Sequence, residues 1–440
     1  MTDPLSVRLP YGKDAVVLHL PPERLAGLLV PPGLGGAVPA SEEPASMVHK
    51  ALVQPIGSPR LRDLAHGKHN IVVLTPDHTR PMPSRLTLPP LLAEIREGAP
   101  DAEITLLVAT GVHRSTRDTE LEERFGGILS DYHARLAVHD CDQTEGLTSL
   151  AGLASTTPVR INRIAAEADL LVAEGLIEPH FFAGYSGGRK SVLPGVAARE
   201  SVMANHRAAL IAHPRARTGM LDGNPIHDEM VRAAEAAGLA FILNVVIDPD
   251  HRLAAAFAGD PDKAHRAGCD WLAGRAGVAP IPADIVVTTN GGYPLDRDLY
   301  QAVKSMTAAE ACCRPGGVII EVSRCQDGVG SDGMFHTFAK GDPDVTSQPG
   351  TRPDPGAVLA AIEARSADGT LPDQWQSQIL ARVLSEYTVI VVSDLPDAVV
   401  EAMGFVAAPD PDAALVIADR LVGSDARIVV IPDGVGVVVR

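Results

Sequence analysis

Short apolar runs rich in β-branched residues recur along the chain and alternate with stretches of helical periodicity. Within each run the apolar residues are continuous, which is typical of parallel strands buried on both faces. The pattern therefore predicts an α/β fold with mainly parallel sheets. The predicted strands are residues 71–75, 104–109, 170–174, 241–247, 285–289, 318–322, 388–392 and 428–431.

The clearest helix is predicted to follow Asn224, a residue type that favours the N-cap position. Pro225 then occupies the first helical position, and Gly238 stands where a helix commonly ends. The apolar stripe between them consists of residues 226, 230, 231, 234 and 237. This helix is expected to have a structural role.

A chain of 440 residues is too long for one ordinary core, so two domains are expected. A change in composition at residues 276–282 precedes a new strand, and we place the boundary there. The expectation is an N-terminal α/β domain (1–277) and a C-terminal α/β domain (278–440), with the active site in the cleft between them. The stretch 326–356 is too long for a simple connection, and it could be either a lid or a surface loop.

Acidic residues outnumber basic ones by 55 to 38, which gives a formal net charge of −17 and argues against nucleic-acid binding. The N-terminal segment lacks the apolar run of a signal peptide, and no apolar segment approaches the roughly 20 residues that span a bilayer. A cytoplasmic protein without membrane contact is expected. The five cysteines show no CxxC spacing, so buried reduced thiols are expected.

Polar residues follow several predicted strands, and ligands of parallel sheets bind beyond the carboxyl ends of strands. Asp77 and Arg80 follow the first strand, and Arg80 can bind a carboxylate or phosphate through two hydrogen bonds. His113 follows the next strand and is a candidate general base. Taken alone, Asp77 could equally cap a turn, Arg80 could form a surface ion pair, and His113 could be incidental.

The third loop holds His180, a glycine-rich turn and Lys190. Gly184, Gly187 and Gly188 would let backbone N–H groups approach a phosphate closely. A phosphate-binding P-loop requires glycine directly before the lysine, and Arg189 occupies that position, which disfavours this alternative. A lysine beside an arginine can have a lowered pKa and act as a nucleophile, although simple surface exposure is also open.

Two further segments carry candidate chemistry. His206 could bind a metal through one ring nitrogen, but no companion pattern supports a site made of protein ligands alone. In the second unit, Tyr300, Gln301 and Lys304 share one helix face, since they lie three and four residues apart. If the other loops were not considered, simple exposure to solvent would explain these three polar residues equally well.

Taken together, five segments closely resemble the nickel-dependent lactate racemase family in their order and residue types. The third segment is the most specific of them. They are PDHTRP (76–81), ATGVHR (109–114), EPHFFAGYSGGRKSVLPGV (178–196), ANHR (204–207) and DLYQAVKSM (298–306).

The resemblance implies a racemase or epimerase of a 2-hydroxy acid, working by hydride transfer from Cα to a nickel-pincer nucleotide. This cofactor is pyridinium-3,5-bisthiocarboxylic acid mononucleotide nickel, and the resemblance places its covalent link on Lys190 and its nickel bond on His206. His113 and His180 become alternate acid/base residues. The resemblance assigns the cofactor site to Asp77, Gly187, Gly188 and Tyr300, and the substrate site to Arg80, Gln301, Lys304 and Trp375.

Several alternatives stay open. The same chemistry could act on a larger acid such as malate, 2-hydroxyglutarate, phenyllactate or a sugar acid. From other classes, a nucleotide-dependent phosphotransferase and a non-catalytic carboxylate-binding protein are possible, although neither needs all three of His113, His180 and His206. Cofactor-biosynthesis enzymes are the expected protein partners, and the sequence does not determine an oligomeric state.

Overall fold

The computed structural model describes residues 4–31, 33, 43–151, 159–248, 251–342, 344–345 and 353–440. The strands in chain order are β1 (Leu5–Tyr11), β2 (Asp14–Leu20), β3 (Leu25–Leu28), β4 (Asn70–Pro76), β5 (Glu103–Ala109), β6 (Ala134–Val138), β7 (Leu147–Ser149), β8 (Arg160–Asn162), β9 (Leu170–Leu176), β10 (Pro179–His180), β11 (Gly184–Tyr185), β12 (Leu239–Ile247), β13 (Leu253–Gly259), β14 (Gly277–Val278), β15 (Ala283–Thr289), β16 (Cys313–Val322), β17 (Thr388–Val392), β18 (Val406–Ala408), β19 (Ile428–Ile431) and β20 (Val438–Val439).

The helices in chain order are α1 (Pro44–Val53), α2 (Leu61–Ala65), α3 (Ser84–Gly98), α4 (Asp118–Phe125), α5 (Ile128–Asp131), α6 (Arg163–Ala166), α7 (Arg199–Asn205), α8 (Ala208–Ile211), α9 (Pro225–Ala236), α10 (Lys263–Ala276), α11 (Leu299–Glu310), α12 (Asp332–Ala339), α13 (Pro355–Ala364), α14 (Gln374–Glu386), α15 (Asp397–Ala402) and α16 (Pro411–Val422).

Two six-stranded sheets form the framework, which confirms the predicted α/β class. The first has the order β13-β12-β9-β4-β5-β6 and is parallel except for β13, which runs antiparallel to β12. The second has the order β18-β17-β16-β15-β19-β3 and is parallel throughout. All the strands predicted from apolar runs lie in these two sheets, because continuous apolar segments suit strands that helices cover on both faces.

The helix predicted after Asn224 is confirmed as α9. The Asn224 side-chain oxygen accepts the backbone N–H of Ile226 at 3.1 Å, as an N-cap residue should. Gly238 follows the helix with a φ of +74°, a conformation that glycine adopts without strain. Residues of its apolar stripe, among them Ile226 and Met230, are fully buried.

The amino-terminal strands pack with the second sheet. β1 and β2 form a hairpin, and β3 is the edge strand beside β19. Leu9 and Leu18, which alternate with exposed neighbours, are fully buried in the same apolar cluster as Ile285 of β15. Residues 1–277 are predicted to form the first domain, whereas β3 belongs to the second sheet and the β1–β2 hairpin packs on that sheet. The boundary at residues 277 and 278 stays a prediction.

The stretch 326–356 is more structured than a long connecting loop. It contains α12, whose N-cap residue Ser331 accepts the backbone N–H of Met334 at 3.2 Å. Met334 and Phe338 are four residues apart and both buried, so one helical face packs on the core. Residues 343 and 346–352 of this stretch lie outside the described ranges.

All five cysteines are buried free thiols, as expected. Burial raises the pKa of the Cys269 thiol to about 12, which keeps it protonated and unreactive at neutral pH. Within the described part of the chain, no helix combines the length and apolar character needed to cross a membrane.

The packing of β1 on the second sheet predicts a contrast between two leucines of this strand. Leu9→Ala, at a fully buried position, should lower the free energy of unfolding by about 2–5 kcal/mol because it leaves a cavity. Leu5→Ala, at a position 38% exposed, should change it by less than about 0.5 kcal/mol. Urea unfolding followed by circular dichroism measures both, and equal effects would contradict the packing.

Candidate active site

The candidate site lies where β9, β4 and β5 end side by side in the first sheet. The loops after these strands surround an open cavity of about 610 Å³. Adjacent parallel strands place their carboxyl ends at the same edge, which is why residues distant in sequence meet here. The sequence-predicted residues that line this cavity are Asp77, Arg80, His113, Gly187 and Lys190.

Asp77 organises the first of these loops. Its Oδ1 accepts hydrogen bonds from the N–H of Thr79 at 3.0 Å and the hydroxyl of Thr79 at 2.6 Å. Its Oδ2 lies 2.8 Å from Nδ1 of His113. Burial alone would raise the pKa of Asp77, but the hydrogen bond and charge of His113 outweigh it and hold the pKa at about 2. Asp77 therefore both caps its turn and orients His113.

Arg124 of α4 holds the backbone of the same loop. Its guanidinium donates to the carbonyl oxygens of Pro76 at 2.6 Å and Asp77 at 2.7 Å, and also to that of Arg80. The side chain of Arg80 then points toward Glu178, with Nε 4.0 Å from Oε2. The role of Arg124 is not predictable from the sequence, because an arginine on a surface helix carries no signal of backbone partners.

The glycine-rich turn contacts Asn244 in the middle of β12. Gly188 donates its N–H to Oδ1 of Asn244 at 2.7 Å, so this N–H is already used. Gly187 has a φ of +80°, and a Cβ there would lie 2.7 Å from the same oxygen, so only glycine fits. Gly187 lines the cavity, and Gly188 supports the turn. A polar residue inside the apolar run 241–247 was the sequence signal for Asn244.

Arg189 points away from the cavity into the protein. It donates to the carbonyl oxygens of Ala183 at 2.8 Å, Tyr185 at 2.9 Å and Gly187 at 3.2 Å. After the turn the chain forms only the four-residue 3-10 helix Gly188–Ser191. A phosphate loop instead leads into a helix whose N-terminus faces the phosphate, so this geometry disfavours that alternative.

The side-chain amine of Lys190 has a strongly lowered pKa. Its Nζ lies 5.8 Å from the ring centroid of Phe182, and within the described ranges it has no hydrogen bond or ion pair. Burial lowers the pKa of this amine well below its ordinary value, and the positive charges of Arg189 and Arg80 lower it further. The neutral amine can act as a nucleophile.

His206 lies between two aromatic rings, with centroid distances of 5.0 Å to Phe182 and 5.0 Å to Trp375. Burial, with a contribution from the charge of Lys190, lowers the pKa of His206 to about 3, so the imidazole is neutral. Its Nδ1 is buried without a hydrogen-bond partner among the described residues. A buried unpaired ring nitrogen suits a metal ligand, because the metal would replace the missing hydrogen bond.

His180 is held by its own loop. Its ring stacks on Phe181 at a centroid distance of 5.0 Å and meets Phe182 edge-on at 4.5 Å. Its Nδ1 accepts the backbone N–H of Ala183 at 3.3 Å. Burial lowers the pKa of His180 well below its ordinary value, and the charges of Lys190 and Lys304 act in the same direction.

The second unit contributes α11, whose predicted polar face is confirmed. Lys304 donates to the side-chain oxygen of Gln301, and its Nζ lies 5.9 Å from the ring centroid of Phe181. Burial and then the charge of Arg80 lower the pKa of Lys304 to about 8. The hydroxyl of Tyr300 donates to Asp373 at 3.3 Å, a partner that the sequence analysis missed.

The predicted site residues therefore form one assembly with two parts. Loops of the first sheet line the cavity, and an aromatic cluster made by Phe181, Phe182 and Trp375 joins it to the second unit. Contacts from His206 to Trp375 and from Lys304 to Phe181 join residues on either side of the predicted domain boundary. The predicted residues outside the cavity lining are Gly188, His180, His206, Tyr300, Gln301, Lys304 and Trp375.

Comparison with known proteins identifies relatives over nearly the whole chain. The model of the lactate racemase N-terminal domain matches residues 11–219, and that of the lactate racemase C-terminal domain matches residues 278–439. A lactate racemase of Thermoanaerobacterium thermosaccharolyticum is 48% identical over 99% of both chains. One of Lactiplantibacillus plantarum is 44% identical, covering 99% of this chain and 100% of the relative.

Solved structures agree with this assignment. The apoprotein of the lactate racemase from T. thermosaccharolyticum superposes with a TM-score of 0.92 at 48% identity, covering 99% of this chain and 100% of the other. A protein of Thermotoga maritima superposes with a TM-score of 0.61 at 18% identity, covering 87% and 99%. The second similarity shows a shared fold only.

The lowered pKa of Lys190 predicts how its reactivity depends on pH. An ordinary lysine loses about tenfold in amine reactivity per pH unit below its pKa of about 10.4, whereas Lys190 should lose much less between about pH 9 and about pH 7. Acetylation by a succinimidyl ester, mapped by peptide mass spectrometry, compares Lys190 with exposed Lys50 in the same sample. Parallel pH dependence of the two lysines would show that Lys190 has an ordinary amine.

Proposed function

Because the chain belongs to the lactate racemase family, and is therefore a racemase, we propose that it interconverts the enantiomers of lactate or a similar short-chain 2-hydroxy acid. The observation that carries the proposal is the amine of partly buried Lys190 at the wall of an open cavity, where burial lowers its pKa and, within the described ranges, it forms no ion pair. His206, with its unpaired ring nitrogen, contacts the same phenylalanine as this amine.

We propose that a nickel-pincer nucleotide is attached through Nζ of Lys190, with His206 as the protein ligand to nickel. The residues fit such a group, because the amine is held in its nucleophilic form and Nδ1 of His206 is buried and unpaired. When bound, the pyridinium supplies a reversible hydride acceptor for the substrate Cα. Enzymes that assemble this nucleotide are the protein partners that the proposal requires.

The acid/base work falls to His113 and His180. The hydrogen bond to Asp77 engages Nδ1 of His113 and leaves Nε2 for the substrate hydroxyl, while the carboxylate stabilises the imidazolium formed on proton uptake. His180 stacks on Phe181, whose ring also lies near the amine of Lys304, and is proposed as the second acid/base residue. Two such groups are needed because the enantiomers present their hydroxyls on opposite sides.

Arg80 and Lys304 are proposed to bind the substrate carboxylate. The charge of Arg80 lowers the pKa of Lys304, and both charges lower that of Lys190, while Glu178, 4.0 Å from Arg80, acts in the opposite direction on both amines. Gln301 holds the amine of Lys304, and Trp375 and Tyr300 close the second-unit side of the site. Closure of this kind excludes water, which protects a bound 2-oxo acid intermediate from loss.

The proposed attachment predicts a covalent adduct. Protein co-produced with cofactor-assembly enzymes should carry an added mass and about one nickel per chain, as expected for one attachment lysine and one ligand histidine. Lys190→Ala should carry neither, and His206→Ala should keep the added mass but retain less nickel. Lys50→Ala, at an exposed lysine, is the control. Intact-mass spectrometry and elemental analysis report both quantities, and unmodified wild type from a validated system would refute the attachment.

The proposed carboxylate site predicts a binding defect. Arg80→Met in the loaded enzyme should raise KM for lactate roughly ten- to hundredfold, since a charged hydrogen bond contributes about 1.5–3 kcal/mol. Arg135→Met, which removes a charge at a side chain 71% exposed, should leave KM unchanged. Chiral chromatography of the two enantiomers gives the rates. Racemisation of phenyllactate or malate without turnover of lactate would instead favour a larger substrate.

A further inference from the structure

His113 is held so that only one of its ring nitrogens can carry the proton in the neutral ring. Asp77 is a carboxylate at neutral pH and can only accept hydrogen bonds, so Nδ1 of His113, 2.8 Å away, must donate. Thr79 fixes the other carboxylate oxygen through its N–H and hydroxyl. The neutral imidazole of His113 therefore carries its lone pair at Nε2, and the side chain is half exposed at the cavity.

His180 is held in the opposite way. The backbone N–H of Ala183 can only donate, so Nδ1 of His180 accepts at 3.3 Å and carries the lone pair. The neutral ring then carries its proton at Nε2. Stacking on Phe181 and the edge contact with Phe182 hold the ring plane, and these contacts oppose a ring flip that would exchange the two edges.

The charges around His180 also disfavour protonation of its neutral ring to the imidazolium. Lys190, Lys304 and Arg80 all act on this imidazole with positive charge. Across the described ranges, no carboxylate lies within ion-pair distance of the ring, in contrast with His113 and its partner Asp77. The surroundings therefore favour one neutral tautomer of His180 and disfavour the imidazolium.

We infer that the neutral rings of His113 and His180 in the cofactor-free chain are opposite tautomers, with a lone pair at Nε2 of His113 and a proton at Nε2 of His180. Asp77 and the backbone amide of Ala183 are the positioning groups that set them. This inference deepens the proposed function and rests on it for its consequence in catalysis, although the tautomers themselves are properties of the chain alone.

The consequence is that the two enantiomers do not meet equivalent bases. When a hydroxyl faces His113, its O–H bond breaks and a new N–H bond forms at Nε2, and the resulting positive charge is balanced by Asp77. When a hydroxyl faces His180, Nε2 already carries a proton and can only donate a hydrogen bond. His180 becomes a base at Nε2 only after its proton moves to Nδ1, which removes the hydrogen bond from Ala183. The neutral ring of His113 thus presents a base at Nε2 without any rearrangement, whereas that of His180 does not.

Nuclear magnetic resonance of the cofactor-free protein tests this directly. Histidine labelled at both ring nitrogens reports, through long-range correlations at neutral pH, which nitrogen carries the proton. His113→Gln and His180→Gln assign the two rings by loss of their signals. The expected result is a protonated Nδ1 for His113 and a protonated Nε2 for His180, and the same tautomer in both rings would overturn the inference.

Asp77→Asn separates positioning from a merely structural role. An amide can donate or accept, so His113 should change to a mixture of tautomers while His180 keeps its proton at Nε2. Asp101→Asn, at an exposed aspartate, is the matched control and should change neither ring. An unchanged His113 in folded Asp77→Asn would contradict the role of Asp77, and if this variant fails to fold, the wild-type tautomers still decide the main inference. Failure of the adduct experiment would refute the proposed cofactor without altering these tautomers.

Discussion

The site depends on the desolvation of several basic groups around two phenylalanines, with few acidic groups to balance them. Burial lowers the pKa of Lys190 and brings that of Lys304 to about 8, and the charge of Arg80 adds to both effects. Of the nearby carboxylates, Asp77 is engaged by His113, and Glu178 lies 4.0 Å from Arg80. This constraint keeps one amine nucleophilic and leaves positive charge that a substrate carboxylate can neutralise. The same cluster of basic groups thereby supports both the proposed covalent attachment of the cofactor and the binding of the substrate anion.

Parallel topology explains why these groups meet, and it is also the part that the sequence predicted well. Continuous apolar runs mark strands buried on both faces, and the polar residues directly after them form the cavity wall. Asp77, His113 and Lys190 were found in this way because each follows a strand or a glycine-rich turn. His206 was a possible metal ligand from its residue type, but its nickel role and the role of Trp375 were implied only by the resemblance, since neither residue stands in a local pattern that supports a site.

What the sequence could not predict are contacts between segments that no local pattern links. Arg124 donates hydrogen bonds to three carbonyl oxygens of another loop. Asp373 accepts a hydrogen bond from the hydroxyl of Tyr300, which lies on a helix distant in sequence. The amino-terminal hairpin alternates buried and exposed residues, which is a strand pattern, but its place on the second sheet depends on tertiary packing. Likewise α12 was hidden in a stretch rich in Gly, Asp and Pro, because its apolar face consists of little more than Met334 and Phe338.

Anomalous diffraction at the nickel absorption edge, from crystals of co-produced protein, tests whether Lys190 and His206 together hold one nickel-bearing nucleotide, as proposed. The expected result is one strong peak within bonding distance of a ring nitrogen of His206, with continuous electron density leading to Nζ of Lys190. A peak elsewhere, such as at the cluster of Asp140, Cys141 and Asp142, or no density on Lys190, would show that these two residues do not hold the group.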